Sequence, residues 1–143
     1  MPKIIWAIDT NILVYLLNAN SSQHTLAQNI IQKAKKENIS IVITQQNIIE
    51  LVQTLTKYYS VPLKEASEKS KQIIKSVNQV LHPHTTTLTT YLKLCKQNHK
   101  PKSHFDLYLA STLLSNQANI FITNNPKDFT NIMDLKTIPL SNF

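Results

Sequence analysis

The sequence feature that most constrains the fold is a short, nearly unbroken apolar run close to the N-terminus. Residues 3–8 read Lys-Ile-Ile-Trp-Ala-Ile, and Asp9 ends the run. A strand with one solvated face alternates apolar and polar residues, whereas a continuous apolar run suits a strand that is buried on both faces of a parallel sheet. The run therefore predicts an interior strand of an α/β protein.

The rest of the chain continues this pattern, because short apolar runs alternate with longer amphipathic segments. Such alternation predicts an α/β sandwich with a central, mainly parallel sheet. No repeat or linker divides the sequence, so residues 1–143 are expected to form a single domain, with a helical protrusion within 60–80. The predicted strands are residues 3–8, 39–43, 77–81, 120–123 and 136–140, and the predicted helices are residues 12–17, 22–37, 45–59, 63–76, 88–98 and a helix that Ser103 caps. Thr44 can cap the helix at 45–59, with Asn47 three residues on.

Composition excludes several classes of site. The chain has no glycine, which removes glycine-rich phosphate loops, and its one cysteine excludes an internal disulfide and a cysteine-based zinc site. The net charge of +7, carried entirely by lysine, suits a polyanion such as nucleic acid, although a compositional bias of the genome explains it equally well. No apolar run reaches the roughly 18 residues that span a bilayer, and no signal-peptide pattern opens the chain. We therefore expect a cytoplasmic protein without a membrane anchor.

Asp9 is the first candidate for chemistry. It follows a buried strand, and in open α/β sheets the carboxyl ends of the strands form the ligand crevice. A carboxylate there needs a cation or hydrogen-bond donors. The alternative is that Asp9 caps a helix starting near Asn11, and the residue alone does not separate the two interpretations.

Three other acids have comparable alternatives. Glu50 lies in a helix opposite a predicted apolar stripe of Ile48, Val52, Leu55 and Tyr59, which favours a solvated residue. Asp106 stands three residues after Ser103, which is a capping-box spacing. In the segment from Thr123 to Phe129, Asn125 suits an N-cap and Asp128 a residue of the first helical turn.

The combination of these residues points to a hard divalent cation. The chain has only eight acidic residues, and Asp9, Asp106 and Asp128 fall at element junctions where a crevice would form. Mg²⁺ takes oxygen ligands and retains several waters, so carboxylates from separate elements suit it. Such a site can activate water and polarise a phosphodiester.

Four segments, in order, resemble the motifs of PIN domains. They are Ile8-Asp9-Thr10-Asn11-Ile12-Leu13, the stretch from Thr44 to Glu50-Leu51, Asp106-Leu107-Tyr108-Leu109-Ala110-Ser111, and Ile122-Thr123-Asn124-Asn125-Pro126-Lys127-Asp128-Phe129. Each motif is weak alone, but the four together cover nearly the whole chain. Chain length also resembles the VapC-type toxins of type II toxin–antitoxin pairs.

The resemblance implies a PIN-like three-layer α/β/α sandwich and a Mg²⁺- or Mn²⁺-dependent endoribonuclease. Asp9 and Asp106 would hold the metal, and Glu50 would hold it through water or position the attacking water. Asn125 stands where the family often has an acid, so it would be a neutral ligand or hydrogen-bonding group, and Asp128 could compensate. The resemblance also implies an RNA substrate such as tRNA, a homodimer and a cognate antitoxin.

Two other functions remain open at this stage. A PIN module that binds RNA or protein without cutting is favoured only by the neutral Asn125. A phosphatase with a strand-end Asp nucleophile would need a second Asp two residues after Asp9, and that position is Asn11.

Overall fold

The structure, a computed structural model, describes residues 3–97 and 103–143. In these residues a five-stranded, entirely parallel sheet has the order β3-β2-β1-β4-β5, with helices on both faces. The predicted α/β/α sandwich is confirmed. The strands are β1 (Ile5–Ile8), β2 (Ser40–Thr44), β3 (Gln79–Leu81), β4 (Ile120–Thr123) and β5 (Lys136–Pro139), and the helices are α1 (Thr10–Leu17), α2 (His24–Lys36), α3 (Gln45–Tyr58), α4 (Leu63–Ser76), α5 (Thr85–Gln97) and α6 (His104–Ser115).

The interior strands are apolar on both sides because each side faces a helical layer. On one side Trp6, Ile8 and Ile122 belong to the core formed with helices α1 to α4. On the other side Ala7 and Phe121 belong to the core formed with α5 and α6. The unbroken apolar run at the N-terminus thus supplies residues to two cores at once, which is the physical reason for its composition.

Some predicted boundaries were wrong by a few residues. The first strand begins at Ile5, and Lys3 and Ile4 before it are exposed, while the third strand covers only the last three of its five predicted residues. Helix α5 begins at Thr85 instead of residue 88. Just before it, the His84 amide donates a hydrogen bond to Thr87 Oγ1 in the first turn of the helix. The predicted end of that helix, Asn98, lies outside the described residues.

Helix α4 does not protrude, so that prediction was wrong. Ala66, Ser70 and Ile73 form a buried face, and Ala66 and Ile73 join the core that also contains Leu51 and Leu55 of α3. The sequence suggested a protrusion because most of the helix is polar. A three-position stripe of small and apolar residues is nevertheless enough to pack it on α3.

The sheet order creates one topological switch point. From β1 the chain continues outward on one side to β2 and β3, and it later returns to place β4 on the other side of β1. Ligand crevices in open parallel sheets lie outside the carboxyl ends of the strands at such a point. A ligand-binding site is therefore expected at the carboxyl ends of β1 and β4. Among the described residues, no helix is both long and apolar enough to cross a bilayer.

Candidate active site

A crevice of about 340 Å³ lies at this switch point, and it collects acids from distant parts of the chain. We call it the acidic crevice. Four of the eight acidic residues line it, and no described residue that lines it is basic. The lining includes all the candidates from the sequence, namely Asp9, Glu50, Asp106, Asn125 and Asp128, together with Thr10 and Asn11.

Asp9 performs both of the roles that the sequence offered as alternatives. It is the N-cap of α1, because its Oδ1 accepts a hydrogen bond of 2.8 Å from the Thr10 amide. Its Oδ2 accepts a hydrogen bond of 2.7 Å from Thr123 Oγ1, at the end of β4. Both oxygens are thus oriented by neighbouring donors while the side chain still lines the crevice.

The pKa of Asp9 is raised from 3.8 to about 6. Burial is the largest cause, because it removes water from the charged form, and the nearby charges of Glu50 and Asp128 act in the same direction. The hydrogen bonds from Thr123 and Thr10 oppose the rise without cancelling it. The folded chain therefore holds this carboxylate at a free-energy cost that a nearby cation would offset.

Asp106 lies in the first turn of α6, as its spacing from Ser103 predicted, and it also lines the crevice. Ser103 caps α6, since its Oγ accepts hydrogen bonds from the amides of Phe105 and Asp106 at 3.2 and 3.4 Å. The pKa of Asp106 is also raised from 3.8 to about 6, first by burial and then by the charges of Asp9, Asp128 and Glu50. These electrostatic effects indicate that the four carboxylates lie close together, and all four residues are partly buried.

Glu50 is half-buried and held in place, so the interpretation of a solvated residue was wrong. Its Oε2 accepts a hydrogen bond of 2.8 Å from Thr10 Oγ1, and its Oε1 accepts one of 2.9 Å from Gln46 Nε2. Both donors fix the carboxylate at the wall of the crevice.

The prediction failed because the buried face of α3 is not the apolar stripe that periodicity indicated. Asn47, Leu51 and Leu55 are its buried residues, whereas Tyr59 is 50% exposed. The predicted stripe left out Leu51, which is fully buried, and Asn47, which a count of apolar residues misses, and including both rotates the buried face toward Glu50. Ile48 and Val52 still pack against the core as partly buried residues.

A buried polar network supports this wall of the crevice. Thr44 and Asn47 form the predicted capping box, in which Asn47 Oδ1 accepts from the Thr44 amide at 2.9 Å and Thr44 Oγ1 accepts from the Asn47 amide at 3.1 Å. Asn47 Nδ2 then donates to Thr10 Oγ1 at 3.0 Å, and that hydroxyl donates to Glu50. The cap of α3 thereby orients an acid of the crevice through Thr10.

The segment after β4 supplies a neutral and an acidic residue. The Asn125 amide donates to Thr123 Oγ1 at 3.0 Å, and its side chain makes no capping hydrogen bond in the 3₁₀ turn Pro126–Phe129. Asp128 lies in the first turn, as the sequence favoured, and also lines the crevice. The two sequence interpretations of Asp128 are therefore compatible.

Sequence reasoning missed three residues that organise the site. Thr123 orients Asp9, Gln46 orients Glu50, and Asn47 links the cap of α3 to Thr10. Asn47 had a signal in its capping-box spacing from Thr44, and Gln46 had one in its i,i+4 spacing from Glu50 on the same helix. The contact of Thr123 with Asp9 spans 114 residues, and no sequence pattern specifies its geometry.

As they stand, the described side chains include no group of three or more His, Cys, Asp or Glu residues that could hold a metal ion. The donor chemistry nevertheless fits a hard cation, because Asp9 and Asp106 supply carboxylate oxygens, the charge of Asp9 raises the pKa of Asp106, and no described residue that lines the crevice is basic. Mg²⁺ is commonly held by one or two carboxylates, with water and phosphate oxygens as its other ligands. The residues thus fit an ion that waters and substrate help to hold.

Similarity to known proteins agrees with this architecture. The sequence model of the PIN domain matches residues 7–134. No curated protein has a sequence significantly similar to the chain.

Three solved structures illustrate the likeness of the fold. A VapBC2 structure from Rickettsia felis, bound to a promoter DNA fragment, is 23% identical with a TM-score of 0.76, covering 95% of this chain and 98% of that one. VapBC-1 from nontypeable Haemophilus influenzae is 26% identical with a TM-score of 0.73, covering 96% and 99%. VapC20 of Mycobacterium tuberculosis, described as a toxin that cleaves the sarcin–ricin loop, is 13% identical with a TM-score of 0.61, covering 81% and 86%. The match of the family model over most of the sequence, on a parallel sheet with four acids at its switch point, means that this chain belongs to the PIN domain family.

Proposed function

We propose that this protein is a metal-dependent endoribonuclease that hydrolyses RNA phosphodiester bonds, and that it is the toxin of a toxin–antitoxin pair. The observation that carries the proposal is the acidic crevice, where Asp9, Glu50, Asp106 and Asp128 meet at the carboxyl ends of β1 and β4. Membership of the PIN family supports nuclease chemistry. The RNA-cleaving relative from M. tuberculosis supports RNA as the substrate class.

In the proposed site Asp9 and Asp106 hold a Mg²⁺ or Mn²⁺ ion. When bound, the ion supplies Lewis-acid polarisation of the phosphodiester and makes water a stronger nucleophile. Thr10 and Thr123 orient the two oxygens of Asp9. The raised pKa values of Asp9 and Asp106 support this assignment, since a shared cation would offset both the burial of these carboxylates and the repulsion of Asp106 by the charge of Asp9.

Glu50 positions the attacking water in this proposal. Its two oxygens accept hydrogen bonds from Thr10 and Gln46, so the carboxylate has a defined orientation before substrate binds. Asn125 contributes a neutral hydrogen-bonding group, and Asp128 adds negative charge at the same wall. Because Glu50 and the proposed cation site are oriented before substrate binds, little further ordering is needed to reach the transition state, and this lowers the barrier.

The test is cleavage of RNA, including tRNA, by the purified protein with Mn²⁺ or Mg²⁺ and with EDTA. We expect cutting that EDTA stops and that Asp9→Asn or Asp106→Asn abolishes while far-UV circular dichroism stays unchanged. Asp134→Asn is the matched control, because Asp134 is an exposed acid that does not line the crevice. Full cutting by both crevice variants would refute the site. Binding of RNA without metal-dependent cutting by the wild type would instead favour the non-catalytic PIN module.

The partners are proposed from the relatives. The R. felis and H. influenzae structures are of VapBC assemblies, which supports a cognate antitoxin for this chain. We propose a homodimer as well, and light scattering on the purified chain tests it. Co-expression with a protein encoded beside this gene, followed by co-purification and loss of RNA cutting, tests the antitoxin. The cytoplasmic location stays a prediction.

A further inference from the structure

A second cavity, of about 310 Å³, adjoins the acidic crevice. Its lining is mainly apolar and includes Ile49, Phe105 and Tyr108, with Gln46 as a polar member. Phe105 lines both cavities and immediately precedes Asp106 in α6. The two cavities are therefore neighbours that share an aromatic wall, and we call the second one the side pocket.

Gln46 contributes an acceptor that is not satisfied. Its Nε2 donates to Glu50 Oε1 and to the backbone oxygen of Phe105, each at 2.9 Å. Because both partners are acceptors, they fix which end of the amide carries the nitrogen. The other end, Oε1, is buried and has no hydrogen-bond partner among the described residues. Buried acceptors without a partner are rare in folded proteins and unfavourable, so this one calls for a donor from outside the chain.

The apolar side chains of the side pocket are exposed to an unusual degree. Phe105 is 74% exposed and Ile49 is 69% exposed. An aromatic ring in this position adds little to folding, since most of its surface stays in water. A free aromatic face beside a phosphate-binding site is what single-stranded RNA recognition uses, because unpaired bases stack on such rings and present their edges to polar groups.

We propose that the side pocket binds one unpaired nucleobase of the RNA, next to the phosphate that enters the acidic crevice. The base stacks on Phe105, and an exocyclic amino group of the base donates a hydrogen bond to Gln46 Oε1. Every base carries an N–H donor that such an oxygen can accept from, so the preference among bases comes from stacking, and a purine covers more of the Phe105 ring than uracil does. Because Gln46 Oε1 is buried, the exposed side chain of Ile49 has to move aside for the base to reach that oxygen, while Phe105 stays in place as the stacking surface. This inference rests on the proposed function for its substrate class.

A binding experiment tests the inference without depending on cleavage. Fluorescence anisotropy in EDTA compares short single-stranded adenine-rich and uracil-rich RNA with the wild-type chain. We expect tighter binding of the adenine-rich RNA by roughly tenfold, and loss of that preference in Phe105→Ala. Tyr58→Ala is the matched control, since Tyr58 is 71% exposed and lines neither cavity. Equal binding of the two RNAs by the wild type, or no binding of either, would overturn the proposal.

A second experiment isolates the hydrogen bond to Gln46. Substitution of purine riboside for adenosine at the preferred position deletes only the amino group of the base. We expect it to weaken wild-type binding about fivefold to tenfold and to leave the binding of Gln46→Leu unchanged. Each protein is compared with itself on the two RNAs, so any general disturbance of Glu50 by the Gln46→Leu substitution affects both measurements equally and cancels. The same loss in both proteins would refute the role of Gln46.

Two further outcomes separate this inference from its neighbours. A wild-type chain that shows the base preference but cuts no RNA with Mn²⁺ would sink the proposed nuclease function and leave the side pocket intact. The second outcome is that Phe105→Ala changes the chain from dimer to monomer in light scattering but retains the base preference of the wild type. Phe105 would then contact a second copy of the chain, and the nucleobase site would be wrong.

Discussion

Replacement of Asp9 by asparagine should stabilise the metal-free protein at high pH, although it removes the central residue of the proposed site. The pKa of Asp9 rises from 3.8 to about 6 on folding, mainly because the carboxylate is buried. A group with a raised pKa favours the folded state only while it is protonated. The stability linked to Asp9 is thus fully present below its ordinary pKa of 3.8 and is lost as the pH rises through about 6.

The size of the effect follows from the same shift. The rise from 3.8 to about 6 corresponds to at most about 3 kcal/mol of lost stability once Asp9 is charged. Asparagine removes the charge and keeps an oxygen that accepts from the Thr10 amide, but it alters the hydrogen bond with Thr123, which costs about 1 kcal/mol. We expect Asp9→Asn to be more stable than the wild type by roughly 1–2 kcal/mol at pH 8. At pH 4.5 the gain should vanish.

Urea unfolding in EDTA at both pH values measures this difference, with the buried Trp6 as a fluorescent probe. In thermal unfolding the gain at pH 8 corresponds to an increase in Tm of roughly 3–6 °C. Asp134→Asn, an exposed acid outside the crevice, should show no such dependence on pH. A difference between Asp9→Asn and wild type that is the same at pH 4.5 and pH 8 would refute the argument that burial of charge is its source.

Three other predictions follow from the same contacts. Thr10→Val should lower the free energy of unfolding by about 1–3 kcal/mol, because the buried Asn47 amide loses its partner, whereas Thr10→Ser keeps the hydroxyl and should stay close to wild type in urea unfolding. Thr44→Ala removes the cap of α3 and should cost about 1–2 kcal/mol in the same assay, and a loss that Thr44→Ser shares in full would contradict the capping role. At subsaturating Mn²⁺, the rate of RNA cutting should increase as the pH rises through about 6, because protons compete with the cation for Asp9 and Asp106. A rate that falls over this range would contradict their role as metal ligands.

The local features of the fold were predictable from sequence because they depend on neighbouring residues. The boundaries of α4 at Leu63 and Ser76 and of β4 at Ile120 and Thr123 were correct, and Thr44 and Ser103 act as the predicted helix caps. Caps and hydrophobic periodicity operate within one or two turns of chain, so the sequence states them directly.

The candidate acids were identifiable from sequence, but their arrangement was not. Whether Asp9 is a cap or a member of a crevice could not be decided locally, and the structure shows that it is both. Glu50 looked solvated because periodicity counts apolar residues, and the buried face of α3 includes the polar Asn47. A buried asparagine is recognisable only once its partner Thr10, 37 residues away, is in place.

By itself, the sequence determined the alternation of strands and helices, the interior position of the first strand and the identities of the acids. Only the tertiary structure decided that β4 returns to the free side of β1, which brings Thr123 to Asp9 across 114 residues. The physical reason is that strand order follows from how two helical layers cover both faces of the sheet, and no local pattern encodes that choice. Asp9 therefore receives its buried environment, its second hydrogen bond and its raised pKa from residues that the first strand does not contain.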